Sequence, residues 1–222
     1  MSPKGTKGAA QRDGSAHSVL LDHGQIVTID HCFAETVQKL AKTDVAIIGA
    51  NALDVHGRAA MMFGSPLGGM PGCGFAGLMA QGCKILIACG LEKLIPISID
   101  QAVQAAGMRS MDWSMGMSVG LTPLSGQVIT EIEAFRLLSD VTCTVIGAGG
   151  IQGAEGAYTL VVEGEQAEVE KAIKITLSLK QTATSGQADS LTECSTGSTG
   201  CGIHHTCAWR TQKGEKLQWG KK

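Results

Sequence analysis

Two rhythms of apolar positions alternate along the chain. Residues 25–30 (QIVTID) form a short β-branched run that reads as a strand. Residues 32–42 (CFAETVQKLAK) set Phe33, Val37 and Leu40 four and three apart, which is one face of a helix. Residues 44–49 (DVAIIG) are continuously apolar, the pattern of a strand buried on both faces of a parallel sheet. Strand, helix and strand in that order predict a βαβ unit, and the crossover length suits one.

The alternation continues downstream. Residues 58–63 (RAAMMF) read as a strand, although their Ala and Met content equally fits a helix. Residues 75–81 predict a short helix ended by Gly82, residues 84–89 (KILIAC) a strand closed by Gly90, and residues 99–106 a helix. Residues 131–139 (EIEAFRLLS) are amphipathic, with Ile132, Phe135 and Leu138 at spacings of three. Strands at 142–146 and 157–163 follow, and a helix over 165–179 carries Val169, Ile173 and Leu177 four apart. Such alternation predicts an α/β fold with a mostly parallel sheet flanked by helices, the last strand–helix pair alternatively closing an antiparallel edge. Residues 1–18, polar and without period, read as a flexible, disordered arm, and residues 19–180 as one α/β ligand-binding domain. Residues 181–222 read as a Ser/Thr/Gly-rich linker followed by a Cys/His tail too short for a core of its own.

Composition narrows the class. With 44% hydrophobic and 17% charged residues a core can be buried, and disorder of the whole chain is excluded. A net charge of −2 supplies no basic field for nucleic acid phosphates. No apolar run approaches the ~20 residues of a membrane span, and the N-terminal residues lack the apolar stretch of a signal peptide. Eight cysteines without that signal are expected to be reduced thiols, metal ligands or catalytic groups in a cytoplasmic protein.

Three glycine-rich loops are expected to follow the strands, at residues 49–57, 64–74 and 147–156. Open α/β sheets bind ligands beyond the carboxyl ends of their strands. Gly49, Asn51, Ser65, Gly68, Gly69, Gly149 and Gly150 are therefore candidate ligand contacts, with an anion favoured where a loop enters a helix. The alternative is that these are simply tight turns. The third loop departs from the dinucleotide fingerprint: Gly147 and Gly149 supply the first two glycines, Gln152 stands at the third, and a strand follows. A Walker A pattern is absent. Glu92 and Lys93 follow the strand that ends at Cys89, a place where a carboxylate acts as base or nucleophile and a lysine pairs with an anion, the alternative being a solvated helix start. Glu155, within the third loop, is a second candidate acid. Cys73 is placed at a helix N-terminus, where the dipole lowers a thiol pKa, the alternative being a small residue chosen to fit. Met108, Met111, Met115 and Met117 surround Trp113, the first three at helical spacing, and fit a flexible lid, ordinary packing or a subunit contact.

Residues 44–69 (DVAIIGANALDVHGRAAMMFGSPLGG), followed by KILIACGLEKLIP, resemble the superfamily of sugar-phosphate isomerases, CoA transferases and initiation-factor-2B-like proteins. The resemblance covers about 60 residues. It implies a Rossmann-like sheet, a small anionic metabolite as ligand (a sugar phosphate, a CoA ester or a related acid) and isomerase or transferase chemistry. The isomerase-like members carry an acid after Gly-Ala; Asn51 stands there, and Asp54, three residues on, is the candidate substitute. Their Asn-Lys pair is missing near Met61 and Met62. Initiation-factor-like relatives supply the alternative of a non-catalytic regulatory or assembly protein. A homo-oligomer is expected in either case.

Cys194, Cys201, His204, His205 and Cys207 fall within 14 residues. Thiolates and imidazole suit zinc or an iron–sulfur cluster, with Cys194, Cys201, His204 and Cys207 as the ligand set and metal sensing as one possible role. An unstructured tail with incidental cysteines, or a redox-active thiol pair, is the alternative.

Overall fold

The computed structural model describes residues 6–9, 18–152, 154–180, 182, 191–193 and 199–208. Helices and strands are mixed, as the alternation predicts. They run as β1 (Thr6–Ala9), β2 (Val19–Asp22), β3 (Gln25–Thr28), α1 (Phe33–Lys39), β4 (Val45–Gly49), β5 (Ala52–Leu53), β6 (Ala59–Phe63), α2 (Gly69–Gln81) and β7 (Lys84–Ala88). After these come α3 (Ile99–Ala105), β8 (Gly120–Pro123), β9 (Gln127–Ile129), α4 (Glu131–Leu138), β10 (Thr142–Ala148), β11 (Tyr158–Glu163), α5 (Gln166–Leu179) and β12 (Leu191–Glu193).

A parallel sheet in the order β4–β7–β9 is the centre of the fold. Its middle strand supplies Ile85 and Ile87, both buried, to a core that also takes Val37 from α1 and Leu78 from α2. The βαβ unit expected from residues 25–49 does not form. β3 pairs instead with β2 in an antiparallel hairpin. The reason is local: His23 and Gly24 both have positive φ (45° and 81°), the pattern of a two-residue type I′ turn, which closes a hairpin over four residues. The parallel crossover runs from β4 to β7, through β5, β6 and α2.

β4 also departs from expectation. Ala46 and Ile48 pack against the core, but Val45 and Ile47 face outward, Ile47 being 72% exposed. Among the described residues the strand lies at the edge of the sheet and is covered on one face only.

Residues 58–63 resolve to the strand reading. β6 sits between β5 and β8 in an antiparallel sheet, where Ala52 and Ala60 pack with Ile99 of α3. Strands β8 and β9 carry no apolar run long enough to be read from the sequence. β10 and β11 form an antiparallel hairpin with an irregularity between Val145 and Gly147, so the last strands do not extend the parallel sheet.

Two boundaries move. α2 begins at Gly69 and takes in half of the glycine segment read as a loop over 64–74. Gly74 and Gly77 lie against α1, where a Cβ would stand 2.6 Å from the Phe33 ring and 2.8 Å from a Val37 methyl, respectively. Close helix packing, rather than ligand approach, explains those glycines. Within the segment read as a disordered arm, β1 pairs antiparallel with β12. Its backbone partners lie far along the chain, so no local pattern announces the strand.

Candidate functional site

The carboxyl ends of the three parallel strands gather the chemistry. Gly49 ends β4, Cys89 and Gly90 follow β7, and Thr130 and Glu131 follow β9. The Cys89 N–H donates to the Ile129 carbonyl at 3.0 Å, which keeps the two strand ends together past the sheet. A 3-10 turn over Leu91–Lys93 comes next. Glu131 Oε2 accepts the Leu91 N–H at 2.9 Å, pinning the start of that turn. The Ile95 N–H donates to the Leu53 carbonyl at 2.8 Å, fastening its exit to β5.

The turn presents Glu92 and Lys93 as an ion pair, with Nζ 3.0 Å from Oε1. Both side chains are partly exposed, so the pair is open to a solute. The Glu92 carboxylate lies where a Cβ on Gly90 would stand, and a Cβ on Gly156 would contact the Glu92 Cβ at 3.4 Å. Gly156, with φ of 85°, belongs to the third glycine loop. The structure thus brings Glu92 beside Gly156, the last residue of the loop that carries Gly149, Gly150 and Glu155, a juxtaposition no local pattern announces. Beneath them Cys89 is buried. Burial pushes its thiol pKa up; Lys93 opposes that shift, and Glu92 and Glu131 add to it. The thiol is a core group and not an activated nucleophile.

Glu131 was missed by sequence reasoning. A signal existed: Thr130 and Glu133 form a capping box, so Thr-x-x-Glu marks the helix start and places an acid immediately after a strand end.

Asn51 and Asp54 lie in the first loop. Asn51 Oδ1 accepts the Met62 N–H at 2.9 Å, which ties the loop to the end of β6. Asp54 is buried, and Oδ1 accepts the N–H groups of His56 (2.9 Å) and Arg58 (3.0 Å), while Oδ2 accepts that of Ile99 (3.0 Å). Burial alone would raise its pKa, but the three donors together with His56 outweigh it and hold the carboxyl below its ordinary value. Asp54 organises the turn and the start of α3. Arg58 pairs in turn with Asp100 through two bonds of 2.6 and 2.9 Å.

In the second loop Leu67, Gly68 and Gly69 have successive positive φ values (56°, 76° and 62°), and Ser65 accepts the Gly68 N–H through its carbonyl. Cys73 is exposed, in the second turn of α2 rather than at its first residues, because the helix starts earlier than expected. The methionine segment forms no regular helix, and the Met117 thioether lies where a Cβ on Gly64 would stand.

Of the expected metal ligands, Cys194 lies outside the described residues. His204 Nε2 lies 2.8 Å from the Gly64 carbonyl oxygen, and Cys207 is buried. Among the described residues no group of three or more His, Cys, Asp or Glu side chains is arranged to hold a metal ion. An apolar recess of about 160 Å³ between α4, β11 and α5, lined by Phe135, Val162, Val169, Ile173 and Leu177, contains none of the expected site residues. No helix among the described residues is long and apolar enough to cross a membrane. Comparisons with models of protein families, with curated proteins and with solved structures find no match to this chain.

Proposed function

We propose that this chain binds, and acts as an isomerase or transferase on, a small anionic metabolite at the carboxyl ends of β4, β7 and β9. A sugar phosphate, a CoA ester or a related acid would be held through Lys93, in exchange for its pairing with Glu92. The observation that carries the reading is the Glu92–Lys93 pair at that end of the parallel sheet, with Glu92 beside Gly156 of the third glycine loop. This is where open α/β sheets hold their ligands. The Rossmann-like character of the sheet and its kinship with the isomerase, CoA-transferase and initiation-factor-2B-like superfamily belong to the same proposal.

In this reading Lys93 holds the anionic group and Glu92 is the base or nucleophile, released from Lys93 as the ligand arrives. Glu131 acts through the backbone and positions the turn. Asp54 drops out of the chemistry, since both its oxygens already serve backbone donors. Calorimetric titration with ribose 5-phosphate, acetyl-CoA and inorganic phosphate tests this. At least one ligand should bind, and Lys93→Ala should weaken it about tenfold or more, as expected for loss of a charge-assisted contact. Unchanged affinity in Lys93→Ala, Glu92→Gln and Glu155→Ala together would sink it.

A second reading, a non-catalytic assembly protein, is favoured by one observation: the outward apolar face of β4 at Val45 and Ile47. Asn51, standing where the isomerase-like members carry an acid, agrees with it.

A further inference from the structure

The backbone at Gly90 does not call for a glycine. Its φ of −66° and ψ of 151° are values that any residue adopts. What a side chain would lack there is space. A Cβ on Gly90 would overlap Glu92 Oε2 and stand 2.8 Å from Cδ and 3.0 Å from Oε1. The Glu92 carboxylate therefore folds back over the α-carbon of the strand end, into room that only glycine leaves.

The turn that carries Lys93 is fastened without that carboxylate. Glu131 accepts the Leu91 N–H, the Lys93 N–H donates to the Gly90 carbonyl at 3.0 Å, and the Leu94 N–H donates to the Leu91 carbonyl at 2.9 Å. The Glu92 side chain is 47% exposed, and among the described residues its carboxylate is tied by one contact, the 3.0 Å pair with Lys93. Exposed pairs of this kind are weak, so an anion from solution can take the carboxylate's place while the turn keeps its shape.

We propose that Gly90 is a positioning residue of the site: it seats the Glu92 carboxylate on Lys93 as an internal competitor, which the anionic group of a ligand must displace. The competitor role rests on the function proposed above, in which Lys93 holds the anion; the seat itself does not. The affinity of the site is then lowered by the fraction of molecules in which Lys93 is already taken. A side chain at position 90 removes the seat, frees Lys93 and raises that affinity.

Crystal structures of the full-length wild type and of Gly90→Ala test the seat. In the wild type Glu92 Oε1 should lie within about 4 Å of Lys93 Nζ, the limit of an ion pair, and in Gly90→Ala the added methyl should push it beyond that limit. A pair that persists in Gly90→Ala, or is missing from the wild type, overturns the seat. Calorimetric titration with ribose 5-phosphate, acetyl-CoA and inorganic phosphate tests the competitor. A probe that binds the wild type should bind Gly90→Ala and Glu92→Ala about threefold more tightly, the worth of an exposed ion pair. Gly90→Ala should add nothing further in the Glu92→Ala background. A merely damaged loop would weaken binding, so the direction of the change separates positioning from damage. Equal or weaker binding by Glu92→Ala, which leaves Gly90 intact, overturns the competitor role. Absence of binding to all of these proteins removes the proposed function and the competitor with it, while the crystal structures still decide the seat.

Discussion

Asp54 sits where a turn meets a helix, and its two oxygens satisfy donors from both. Replacing it with Ala strands three N–H groups around a buried position. We expect Asp54→Ala to destabilise the fold by about 2 kcal/mol or more in urea unfolding, at roughly 1 kcal/mol per hydrogen bond. The pH dependence follows from the lowered pKa. A depressed carboxyl contributes stability that is complete above its unfolded pKa of about 4 and is lost as pH falls through the folded value. The wild type should therefore lose part of its stability below about pH 4, and the difference between wild type and Asp54→Ala should shrink over that window. A difference that stays constant on acidification would show that the charge is not what holds the turn. The sequence displayed an acid three residues from Asn51 but not its task. Its donors come from residues 56, 58 and 99, and the last of these is visible only once α3 is placed.

The helix pair α1–α2 shows the same limit at the scale of elements. A Gly- and Pro-rich run reads as loop because glycine is a poor helix former, by about 1 kcal/mol against Ala. Here tertiary packing overrides propensity: a Cβ on Gly74, within that run, would press on the Phe33 ring 2.6 Å away, and in the stretch read as helix a Cβ on Gly77 would press on a Val37 methyl 2.8 Å away, Val37 being β-branched and buried. Gly77→Ala should thus fail to deliver the stabilisation that propensity predicts and should lower the melting temperature instead. In a Val37→Ala background the same substitution should be neutral or stabilising. That sign reversal, measured as a double-mutant cycle, separates crowding from backbone freedom; a stabilising Gly77→Ala in the wild type would reject the crowding account. Other elements were legible because their signals are local. α4 announces itself by its period and its capping box, and β7 by five apolar-rich residues between Gly82 and Gly90. β9 was not legible, since three residues of QVI give no period to read. With β9 went Glu131, the acid that fixes the turn of the site.

At the scale of the whole molecule, the open face of the parallel sheet is the largest departure from what the sequence led one to expect. The run DVAIIG reads as a strand covered on both sides, yet Val45 and Ile47 point away from the helices that cover Ala46 and Ile48. Parallel sheets are rarely left uncovered, and an apolar edge strand is a template for association. The chain therefore carries the sequence of a doubly covered strand with a single cover among the described residues. A second copy supplying the missing cover reconciles the two, and it accords with the homo-oligomer expected from the sequence. Light scattering on the purified protein should then give a multiple of 23.0 kDa at about 10 μM, above the micromolar weak end of the range that standard-size interfaces span. Ile47→Lys should shift the mass to that of one chain while leaving the helical circular dichroism intact. A charge on an outward position disturbs the association and not the core, because Ile47 is 72% exposed. A wild type that remains at 23.0 kDa, or a lysine variant that keeps the wild-type mass, would remove the self-association account and with it the main support for an assembly role.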